Sequence, residues 1–528
     1  MSRSFRVSSY LQFSLSCHFF SRNLENEFHN YQIICMKKFD LAVIGSGPGG
    51  LAATMRAIDF GKSVCIIEAG HLGGNGIMNG PLTSKTMWEL SADYAVAAAV
   101  DRGYRASGLQ VDYNLVKKTV LQAAKTKQNQ ILSQIETFSD DDKHSGSITY
   151  KQGFARFLDR HTLEIKSSEG IETISAEYII IATGSIPRPH PDLEIDQKRI
   201  FDSDGILNLN SFPERMMIIG SGIIGCEFAT IFSNFKQTEV HLLDRTHRVI
   251  PFEDDDVSDF VSRNLQKNGV IIHHTANLRT VRKKSNYLEI VLDYEDGHSS
   301  VVEVDIILIS IGRDPNTAGL CLENAGIETT PKGYLKINES CSLSNFGECN
   351  IFAAGDVTGQ KALYGVAEEQ GRFIVEAIFG KTNFLLDYSH MPTLMFFKPE
   401  LAAVGANEKM LRSKGIPYKS AYYSNELVSR TIAMRNTNGF VKIMVSNDGS
   451  DRILGMRAAG PQASAFIVSI AYLINADIRL QEVLQSIHPH PSVTEGIQEC
   501  LRVFYNQSIF KPQAFPNLIR VTEWKPEE

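Results

Sequence analysis

A glycine-rich turn between a buried strand and a helix occurs twice in this 528-residue chain, and the repeat constrains the fold more than any other feature. In the first copy, the apolar run Phe39–Ile44 is followed by Gly45, Gly47 and Gly50 and then by an alanine- and leucine-rich stretch. This order is typical of a Rossmann unit, because the glycines allow a tight turn and a close approach of the backbone to a pyrophosphate at the helix N-terminus.

An acidic residue follows each turn at the spacing expected for a ribose contact. The strand Ser63–Ile67 ends at Glu68, and in the second copy the strand Glu239–Leu243 ends at Asp244. The three glycines of the second turn are Gly220, Gly222 and Gly225. Two such units imply two dinucleotides. The natural pair is a bound flavin and a diffusing nicotinamide, with hydride passing between them.

The residues around Asp244 bear on the choice of nicotinamide cofactor. A carboxylate accepts a hydrogen bond from a 2′-hydroxyl and repels a 2′-phosphate, which favours NAD(H). Arg245 and Arg248 stand close by in the sequence and could hold a phosphate through paired hydrogen bonds. We expect NAD(H) and leave NADP(H) open as a second substrate.

Composition excludes several classes of protein. The formal net charge of −7 argues against a general nucleic-acid binder. No uninterrupted apolar run approaches the ~18 residues needed to span a bilayer, so no membrane span is predicted. The eight cysteines include no C-x-x-C pair, which fits a reducing compartment and indicates neither a disulfide framework nor a cysteine metal site. We therefore expect a cytoplasmic protein with no bound metal.

The N-terminal extension, residues 1–35, differs from the rest of the chain. It contains arginines and many serines, and no acidic residue occurs before Glu25. Three interpretations stay open: a start codon assigned too early, with translation beginning at Met36; an organellar transit peptide, which would place the protein in an organellar matrix; or a disordered tail. None of them gives residues 1–35 a chemical role.

Four further segments follow in an order that resembles the class I pyridine nucleotide-disulfide oxidoreductases. They are YIIIATGSIPR at 178–188, LISIGRDPN at 308–316, IFAAGDVTG at 351–359 and HPHPSVTEG at 488–496. Together with the two glycine turns, they extend the resemblance over about residues 36–507. The stretch Ile200–Ile231 is most similar to the soluble transhydrogenase branch of that family.

The resemblance implies an α/β architecture with two Rossmann-like dinucleotide-binding domains, for FAD and NAD(P), and a C-terminal α/β dimerisation domain. The expected bounds are 36–185 and 310–385 for the two parts of the FAD domain, 186–309 for the NAD(P) domain, 386–507 for the dimerisation domain and 508–528 for a loose tail. It also implies a homodimer.

The resemblance further implies the positions of the site residues. The first unit would hold FAD and the second NAD(H) or NADP(H). Additional cofactor contacts are implied for Gly74, Thr183, Gly184, Gly312, Gly355 and Asp356. Lys85 and Glu227 match a pair that lies beside the flavin in relatives, with a purely structural salt bridge as the alternative. His490 matches a C-terminal histidine oriented by an acid, here Glu495. It keeps either an acid–base role or a packing role at the dimer interface.

The sequence departs from the family pattern at one informative place, HLGGNGIMNGPLTSKTMWEL, residues 71–90. Relatives of the disulfide type carry two redox cysteines here. This chain has Gly76 and Pro81 at those positions, and neither residue can form a thiolate or attack a disulfide. We also expect the glycine and the proline to interrupt the local helix.

We therefore predict an FAD-dependent NAD(P)H oxidoreductase that passes hydride from a nicotinamide to flavin and then directly to an acceptor. The soluble NAD(P) transhydrogenase is the most similar activity. The alternatives are a quinone or metal-ion reductase on the same flavin, and a catalytically silent flavin- or nucleotide-binding module. Dihydrolipoamide dehydrogenase activity is disfavoured, because it needs the missing thiols.

Overall fold

The computed structural model describes residues 36–139, 144–343, 350–380 and 385–526. The N-terminal extension lies outside the described residues. The described chain is a mixed α/β structure, as expected from the alternation of strands and helices around the two glycine turns. In this part of the chain, no helix combines the length and apolar character needed to cross a bilayer.

The elements alternate between strands and helices in each third of the chain. Before residue 190 they are β1 (Lys37–Ile44), α1 (Pro48–Asp59), β2 (Ser63–Glu68), α2 (Pro81–Ala97), α3 (Tyr113–Thr137), β3 (Ser147–Gln152), β4 (Phe154–Phe157), β5 (Thr162–Ser167), β6 (Gly170–Ile181) and β7 (Ser185–Pro187). Up to residue 315 they are β8 (Ile200–Asp202), β9 (Arg215–Ile219), α4 (Ile223–Phe235), β10 (Glu239–Leu243), α5 (Asp255–Lys267), β11 (Ile271–His273), β12 (Ala276–Lys283), β13 (Leu288–Tyr294), β14 (Ser299–Val304), β15 (Ile306–Ile309) and β16 (Arg313–Pro315).

The last third begins with one more strand and helix and continues into an antiparallel sheet. Its elements are β17 (Ile351–Ala353), α6 (Tyr364–Phe379), β18 (Thr393–Met395), β19 (Leu401–Gly405), α7 (Glu408–Ser413), β20 (Tyr418–Ser424), α8 (Ser429–Ala433), β21 (Phe440–Ser446), β22 (Ile453–Ala459), α9 (Ala463–Asn475), α10 (Leu480–Leu484), α11 (Glu495–Val503) and β23 (Ile519–Trp524).

The first sheet has the parallel order β3–β2–β1–β6, and β17 pairs in parallel with the end of β6. The strand β1 is an almost continuous apolar run, because Leu41, Ala42 and Val43 are all fully buried between the layers that cover the sheet. The helices α1 and α6 pack together, and they approach most closely at Gly49 and Gly371, where a side chain would collide with backbone.

The second sheet has the parallel order β11–β10–β9–β15–β8, beside the antiparallel meander β12–β13–β14. It is inserted between β7 and β17, so the chain leaves the first sheet and later returns to it. Helix α4 lies between this sheet and α2, and it places Phe228, Phe232 and Phe235 in a core that α2 and α3 also cover. The insertion therefore brings the helix of the second glycine turn against the first unit.

The third sheet is antiparallel, in the order β18–β19–β22–β21–β20–β23. Helices α9 and α11 cover it and bury their apolar side chains in one core. The expectation of a loose tail was wrong for β23, which pairs with β20 along its whole length. Its stability has local causes, because Ile519 is buried and Trp524 stacks on Tyr418 with ring centroids 5.8 Å apart.

Helix α2 begins at Pro81 and is continuous from there, so the glycine and the proline expected to interrupt a helix lie before it and at its first residue. Gly80 is the N-cap and Pro81 is the first helical residue. Proline is tolerated there, because the first helical N–H has no partner within the helix and the fixed φ suits the first turn. Turns at residues 73–79 precede the helix, so these residues set where α2 begins.

A buried ion cluster joins the second sheet to the third. The side chain of Lys442 on β21 is 3% exposed, and its ammonium lies 3.1 Å from Asp254, 2.8 Å from Asp256 and 3.3 Å from Glu408. Burial opposes the charge of Lys442, but the three carboxylates outweigh this effect and raise the pKa of the lysine. The buried charge of Lys442 is therefore balanced by carboxylates and not by water.

The same acidic segment makes two further contacts across this junction. Asp254 accepts hydrogen bonds from the backbone N–H groups of Glu408 and Lys409, which are the unpaired donors at the start of α7. Arg457 on β22 pairs with Glu253 at 2.8 Å, and both side chains are almost completely buried. The junction is therefore held by charges whose partners lie on opposite sides of it.

We expect Lys442→Met to destabilise the folded protein by about 3–5 kcal/mol, because three carboxylates lose their buried cation. Urea denaturation followed by circular dichroism measures the change. The matched control is Lys409→Met, which removes an exposed ion pair to Asp255 and should cost less than about 1 kcal/mol. Equal losses in the two variants would show that the buried cluster contributes no more than the exposed pair.

A chain of hydrogen bonds links the second sheet to its meander. His241 on β10 contacts Glu239 at 3.0 Å and His273 on β11 at 2.9 Å, and His273 also contacts the Tyr294 hydroxyl at 2.7 Å. Burial, reinforced by the neighbouring His241 and His274 rings, lowers the pKa of His273 to about 4. The folded protein thus keeps His273 neutral over a pH range in which a free histidine is protonated.

Stability should therefore fall as the pH is lowered from about 6.5 toward 4, because over that range the unfolded chain binds a proton at His273 and the folded chain does not. Below pH 4 this group adds no further loss. Melting temperatures measured at half-unit pH steps should fall less steeply for His273→Asn than for the unchanged protein. Identical slopes would contradict the assignment.

Candidate active site

The first glycine turn brings β1, α1 and β6 into close contact. At Gly45, where φ is +106°, a Cβ would lie 2.4 Å from the Ala182 carbonyl oxygen. At Gly50 a Cβ would lie 1.9 Å from the Gly45 carbonyl oxygen. Only glycine fits at these two positions, as the sequence predicted for a tight turn packed against strand and helix.

Glu68, at the end of β2, is held by the turn itself. Its Oε2 accepts hydrogen bonds from the backbone N–H of Ser46 at 2.8 Å and from the Ser46 hydroxyl at 2.7 Å. Its Oε1 accepts from the Gly70 N–H at 2.7 Å. The carboxylate is thus fixed at the carboxyl end of the parallel strands, and Oε1 retains capacity for a ribose hydroxyl.

The surroundings of this turn fit a large phosphorylated dinucleotide such as FAD. Within the described residues, a Cβ at Gly47 or Gly184 would meet no atom within 4 Å, so the backbone there faces open space. Gly74 packs against the backbone of Gly47, since a Cβ at Gly74 would lie 3.1 Å from Gly47 Cα. The Thr183 hydroxyl is buried and has no hydrogen-bond partner in the described part of the chain, which leaves a polar atom for a ligand.

Gly355 and Asp356 follow β17 at the same edge of the sheet. Asp356 accepts a 2.6 Å hydrogen bond from the Ser185 hydroxyl. Arg313 in turn donates to Ser185 and forms a 2.9 Å ion pair with Asp204. The structure therefore places Asp356 with Thr183, Gly184 and the first glycine turn, and ties this edge to the segments that lead into and out of the second sheet.

The second glycine turn repeats the geometry of the first. A Cβ at Gly220 would lie 2.5 Å from the Ser310 carbonyl oxygen, and one at Gly225 would lie 1.9 Å from the Gly220 carbonyl oxygen. Among the described residues, a Cβ at Gly222 would meet nothing within 4 Å. This turn therefore also leaves room for a pyrophosphate beside the N-terminus of α4.

Asp244, at the end of β10, is 2% exposed and heavily hydrogen-bonded. Its Oδ1 accepts from the Ser221 hydroxyl at 2.8 Å and from both the N–H and the hydroxyl of Thr246 at 2.9 Å. Its Oδ2 contacts His274 Nδ1 at 3.1 Å. The carboxylate lies where a ribose contact was predicted, but it is more occupied by protein donors than the sequence indicated.

Of the two arginines predicted beside Asp244, one is committed elsewhere. Arg248 forms ion pairs with Asp259 at 2.9 Å and Asp255 at 3.7 Å, both on α5. The expectation that Arg248 could hold a phosphate is therefore not supported by its contacts. Arg245 is exposed, and no ion pair is found for it within the described residues.

Lys85 and Glu227 meet, although 142 residues separate them. The Lys85 ammonium lies 2.7 Å from Glu227 Oε2, and the side chain of Glu227 is 7% exposed. Glu227 Oε1 accepts a 3.0 Å hydrogen bond from the N–H of Phe396, whose ring lies 4.9 Å from the Lys85 ammonium. This pair therefore joins α2, α4 and the segment between β18 and β19.

Gly76 and Pro81 lie just before and at the start of α2, and Gly76 faces the ring of Tyr364. A Cβ at Gly76 would come within 2.9 Å of Tyr364 Cε2 and 3.2 Å of Pro48 Cγ. The space that a side chain at position 76 would enter is thus bordered by an aromatic ring at the start of α6.

The cysteines of the described residues are unpaired and mostly buried. Burial raises the pKa of Cys65 to about 12 and that of Cys341 to about 11, and it also raises the pKa values of Cys226 and Cys500. A high pKa keeps each of these thiols protonated near neutral pH, so none of the four is a ready nucleophile.

His490 and Glu495 also meet, with His490 Nδ1 2.6 Å from Glu495 Oε1. Burial of Glu495 is outweighed by hydrogen bonds from the Ser492 N–H and His490, which lower the pKa of the carboxyl. The His490 side chain is 68% exposed, and no described contact connects it with Lys85, Glu227 or either glycine turn. His488 is half-buried, and burial lowers its pKa.

Gly312 lies between β15 and β16, with φ +118°, and a Cβ there would lie 3.4 Å from the Arg188 guanidinium. It borders the pair of segments that connects the two parallel sheets, where β16 pairs with β7. The described contacts place it beside Arg188 and do not place it in either glycine turn.

Sequence reasoning missed three residues that the structure brings to these sites: Ser46, His274 and Tyr364. Ser46 and Ser221 stand at the same place in the two glycine turns, and each binds the acid of its own unit, so the repeat itself carried a signal. His274 immediately follows the strand next to Asp244 in a parallel sheet, which was the signal for their contact. No sequence signal placed Tyr364 beside Gly76.

Comparison with known proteins agrees with this architecture. The family model for the pyridine nucleotide-disulphide oxidoreductases matches residues 39–371, and the model for the dimerisation domain of the same family matches residues 391–501. The first match spans both parallel sheets, and the second covers most of the antiparallel one.

Individual relatives cover nearly the whole chain. The mitochondrial dihydrolipoyl dehydrogenase 1 of Arabidopsis thaliana is 30% identical over 475 residues, covering 89% of this chain and 91% of the relative. The dihydrolipoyl dehydrogenase of Geobacillus stearothermophilus is 30% identical over 463 residues, with 87% and 95% covered. The leghemoglobin reductase of Glycine max is 29% identical over 473 residues, with 89% and 88% covered.

Solved structures show the same fold. The HOCl-induced flavoprotein disulfide reductase RclA from Escherichia coli, in a Cu(II) complex, is 26% identical with a TM-score of 0.77, covering 88% of this chain and 99% of that one. LpdA from Mycobacterium tuberculosis is 23% identical with a TM-score of 0.79, covering 88% and 99%, and shows the fold alone.

The matches confirm the predicted fold class, the flavin-dependent oxidoreductase class, and FAD and NAD(H) as the cofactors. With its two glycine turns and inserted second sheet, the chain belongs to the pyridine nucleotide-disulphide oxidoreductase family.

Proposed function

We propose that this chain is an FAD-dependent NAD(P)H oxidoreductase that transfers hydride to its acceptor without a redox disulfide, and that its activity is most like that of a soluble NAD(P) transhydrogenase. The observation that carries the proposal is the pair Gly76, just before α2, and Pro81, the first residue of α2 and about one turn before Lys85. Sulfur is required at those positions for electrons to pass from a flavin to a dithiol.

Bound FAD supplies hydride acceptance and donation in this family. The protein's part is to bind and orient the two dinucleotides. We assign the pyrophosphate of FAD to the first glycine turn, its ribose to Glu68, and further contacts to Gly74, Thr183, Gly184, Gly355 and Asp356. We assign the nicotinamide dinucleotide to the second turn, with Asp244 at its ribose and Gly312 bordering the path between the sheets.

Lys85 is proposed to provide a fixed positive charge beside the flavin. The buried Glu227 carboxylate holds the ammonium at 2.7 Å and is itself anchored by the Phe396 N–H, so the cation is positioned by two different parts of the chain. A preorganised charge in a site with little water stabilises negative charge that develops there. The ion pair also joins the units, so the structural and chemical roles coexist.

Within the described residues, the cysteines offer no substitute for the missing pair. The described thiols are free, and burial raises the pKa values of four of them. Several relatives are dihydrolipoyl dehydrogenases, but we do not propose that activity for this chain. A direct acceptor that needs no thiol is the simpler assignment, and a second nicotinamide is the one favoured by the resemblance at Ile200–Ile231.

We propose a homodimer built on the antiparallel sheet, since the dimerisation-domain model matches there. His490 is exposed in the single chain, and Glu495 holds its ring. This arrangement supports a role for His490 at the subunit interface, as a proton donor and acceptor or as a packing group. The proposed units are 36–185 with 310–385, then 186–309, then 386–507.

Reductive titration tests the absence of a dithiol. Under anaerobic conditions, the purified flavoprotein should take up two electrons per FAD from dithionite, because the flavin is then the sole redox group. Uptake of four electrons, together with a thiolate-to-flavin absorbance band, would contradict the proposal.

Steady-state assays test the acceptor. We expect NADPH-dependent reduction of thio-NAD⁺ and no turnover with lipoamide. Of these two acceptors, only lipoamide needs a dithiol relay. Reduction of a quinone or a metal ion without reduction of thio-NAD⁺ would contradict the transhydrogenase assignment and would indicate the alternative quinone or metal-ion reductase. Failure of NADH and NADPH to bleach the flavin in stopped flow would indicate a silent binding module.

Lys85→Met should slow flavin reduction by NADH on the order of 10²-fold, because one preorganised charge is lost. Stopped-flow absorbance measures the rate. Lys85→Arg keeps the charge and should lose less, and the melting temperatures of both variants report the structural part of the pair. A methionine variant that reduces its flavin at the normal rate would leave Lys85 with a structural role alone.

A further inference from the structure

The ribose end of the second dinucleotide site contains an imidazole that the predicted cofactor contacts do not include. His274 follows β11, and its Nδ1 lies 3.1 Å from Asp244 Oδ2. The carboxylate is 2% exposed, whereas the imidazole side chain is 31% exposed. The outward-facing group of this pair is therefore the imidazole, and a ligand meets it together with the rim of the carboxylate.

The hydrogen bonds of Asp244 limit what it can still bind. A carboxylate has about four acceptor positions. Oδ1 accepts from the Ser221 hydroxyl and the Thr246 N–H, and it shares the Thr246 hydroxyl proton with the Arg248 carbonyl oxygen. Oδ2 accepts from His274. About one position on Oδ2 is left for a ligand. That is enough for one ribose hydroxyl, but the paired contact to both ribose hydroxyls that most strongly favours NAD(H) is not available.

The charge around Asp244 is also partly compensated. Donors from Ser221 and Thr246 contact Oδ1, and the His274 ring contacts Oδ2. Arg245 adjoins Asp244 in sequence, is exposed, and has no ion pair within the described residues. A 2′-phosphate would therefore meet an imidazole and a guanidinium, and not an uncompensated carboxylate.

We infer that His274 is a specificity-determining residue that lets the second site accept a 2′-phosphorylated dinucleotide as well as NAD(H). The inference deepens the proposed function, since a transhydrogenase must bind both nicotinamide dinucleotides at working concentrations. In the complex with a 2′-phosphate, His274 donates to Asp244 through Nδ1 and to the phosphate through Nε2.

The other charged groups near His274 are Arg245, on the loop after β10, and His247 and Glu295 on the adjoining loops. His247 and Glu295 form their own exposed contact at 3.8 Å, so His247 is a suitable control residue.

Binding of the oxidised dinucleotides tests the inference without turnover. Isothermal titration calorimetry on the FAD-loaded protein gives the Kd of NAD⁺ and of NADP⁺ at one fixed pH. His274→Leu should weaken NADP⁺ by about tenfold and leave NAD⁺ within about twofold, because one charge-assisted contact is lost. The matched control is His247→Leu, an exposed histidine on the neighbouring loop, which should change neither value.

A second variant separates the phosphate contact from the contact with Asp244. His274→Asn retains a donor for Asp244 but has no second ring nitrogen for the phosphate, so it should keep the fold and the NAD⁺ affinity and weaken NADP⁺.

Three results would overturn the inference: equal weakening of both dinucleotides in His274→Leu, an unchanged NADP⁺ affinity in His274→Asn, or no NADP⁺ binding by the unchanged protein. Failure of the proposed function is distinguishable, because a protein that takes up four electrons or ignores thio-NAD⁺ can still show the His274-dependent difference in binding.

Discussion

The contact between Lys85 and Glu227 is the constraint on which the arrangement of the rest depends. Glu227 is buried in α4, the helix of the second glycine turn, yet its two oxygens are used by the first unit and by the antiparallel sheet. A buried carboxylate without such partners would be costly, so the three parts of the chain are held in one relation. In the function proposed above, the same contact would position the Lys85 cation beside the flavin.

The two glycine turns share the same close packing of strand and helix, but they differ in the acidic residue at the end of the following strand. Glu68 keeps one oxygen lightly used, with a single donor from Gly70. Asp244 is one carbon shorter and lies deeper, and it is surrounded by donors from its own turn and by His274. This difference matches a tightly bound cofactor in the first site and an exchanging substrate in the second.

Much of the fold followed from local sequence patterns, and the site followed from them less completely. The bounds of β10 were predicted correctly, because the strand ends in an acid at the spacing expected for a Rossmann unit. Lys85 and Glu227 were paired in advance only through the resemblance, since no local pattern joins residues so far apart. His274 and Lys442 were missed because their partners depend on the register of neighbouring strands and on how the sheets pack. The strand β23 was missed because prolines and charges on either side obscured its alternation.

The buried charges at the junction of the second and third sheets also limit how the nicotinamide dinucleotide can enter and leave. Moving the second sheet away as a rigid body would separate Lys442 from Asp254 and Asp256, leaving only Glu408 beside it, and would separate Arg457 from Glu253, at a cost of several kcal/mol for each cation. Exchange by domain opening is therefore disfavoured in this protein. Binding and release of the nicotinamide dinucleotide at the second site should instead depend on rotations of exposed side chains such as Arg245 and on small movements of the loop that follows β10.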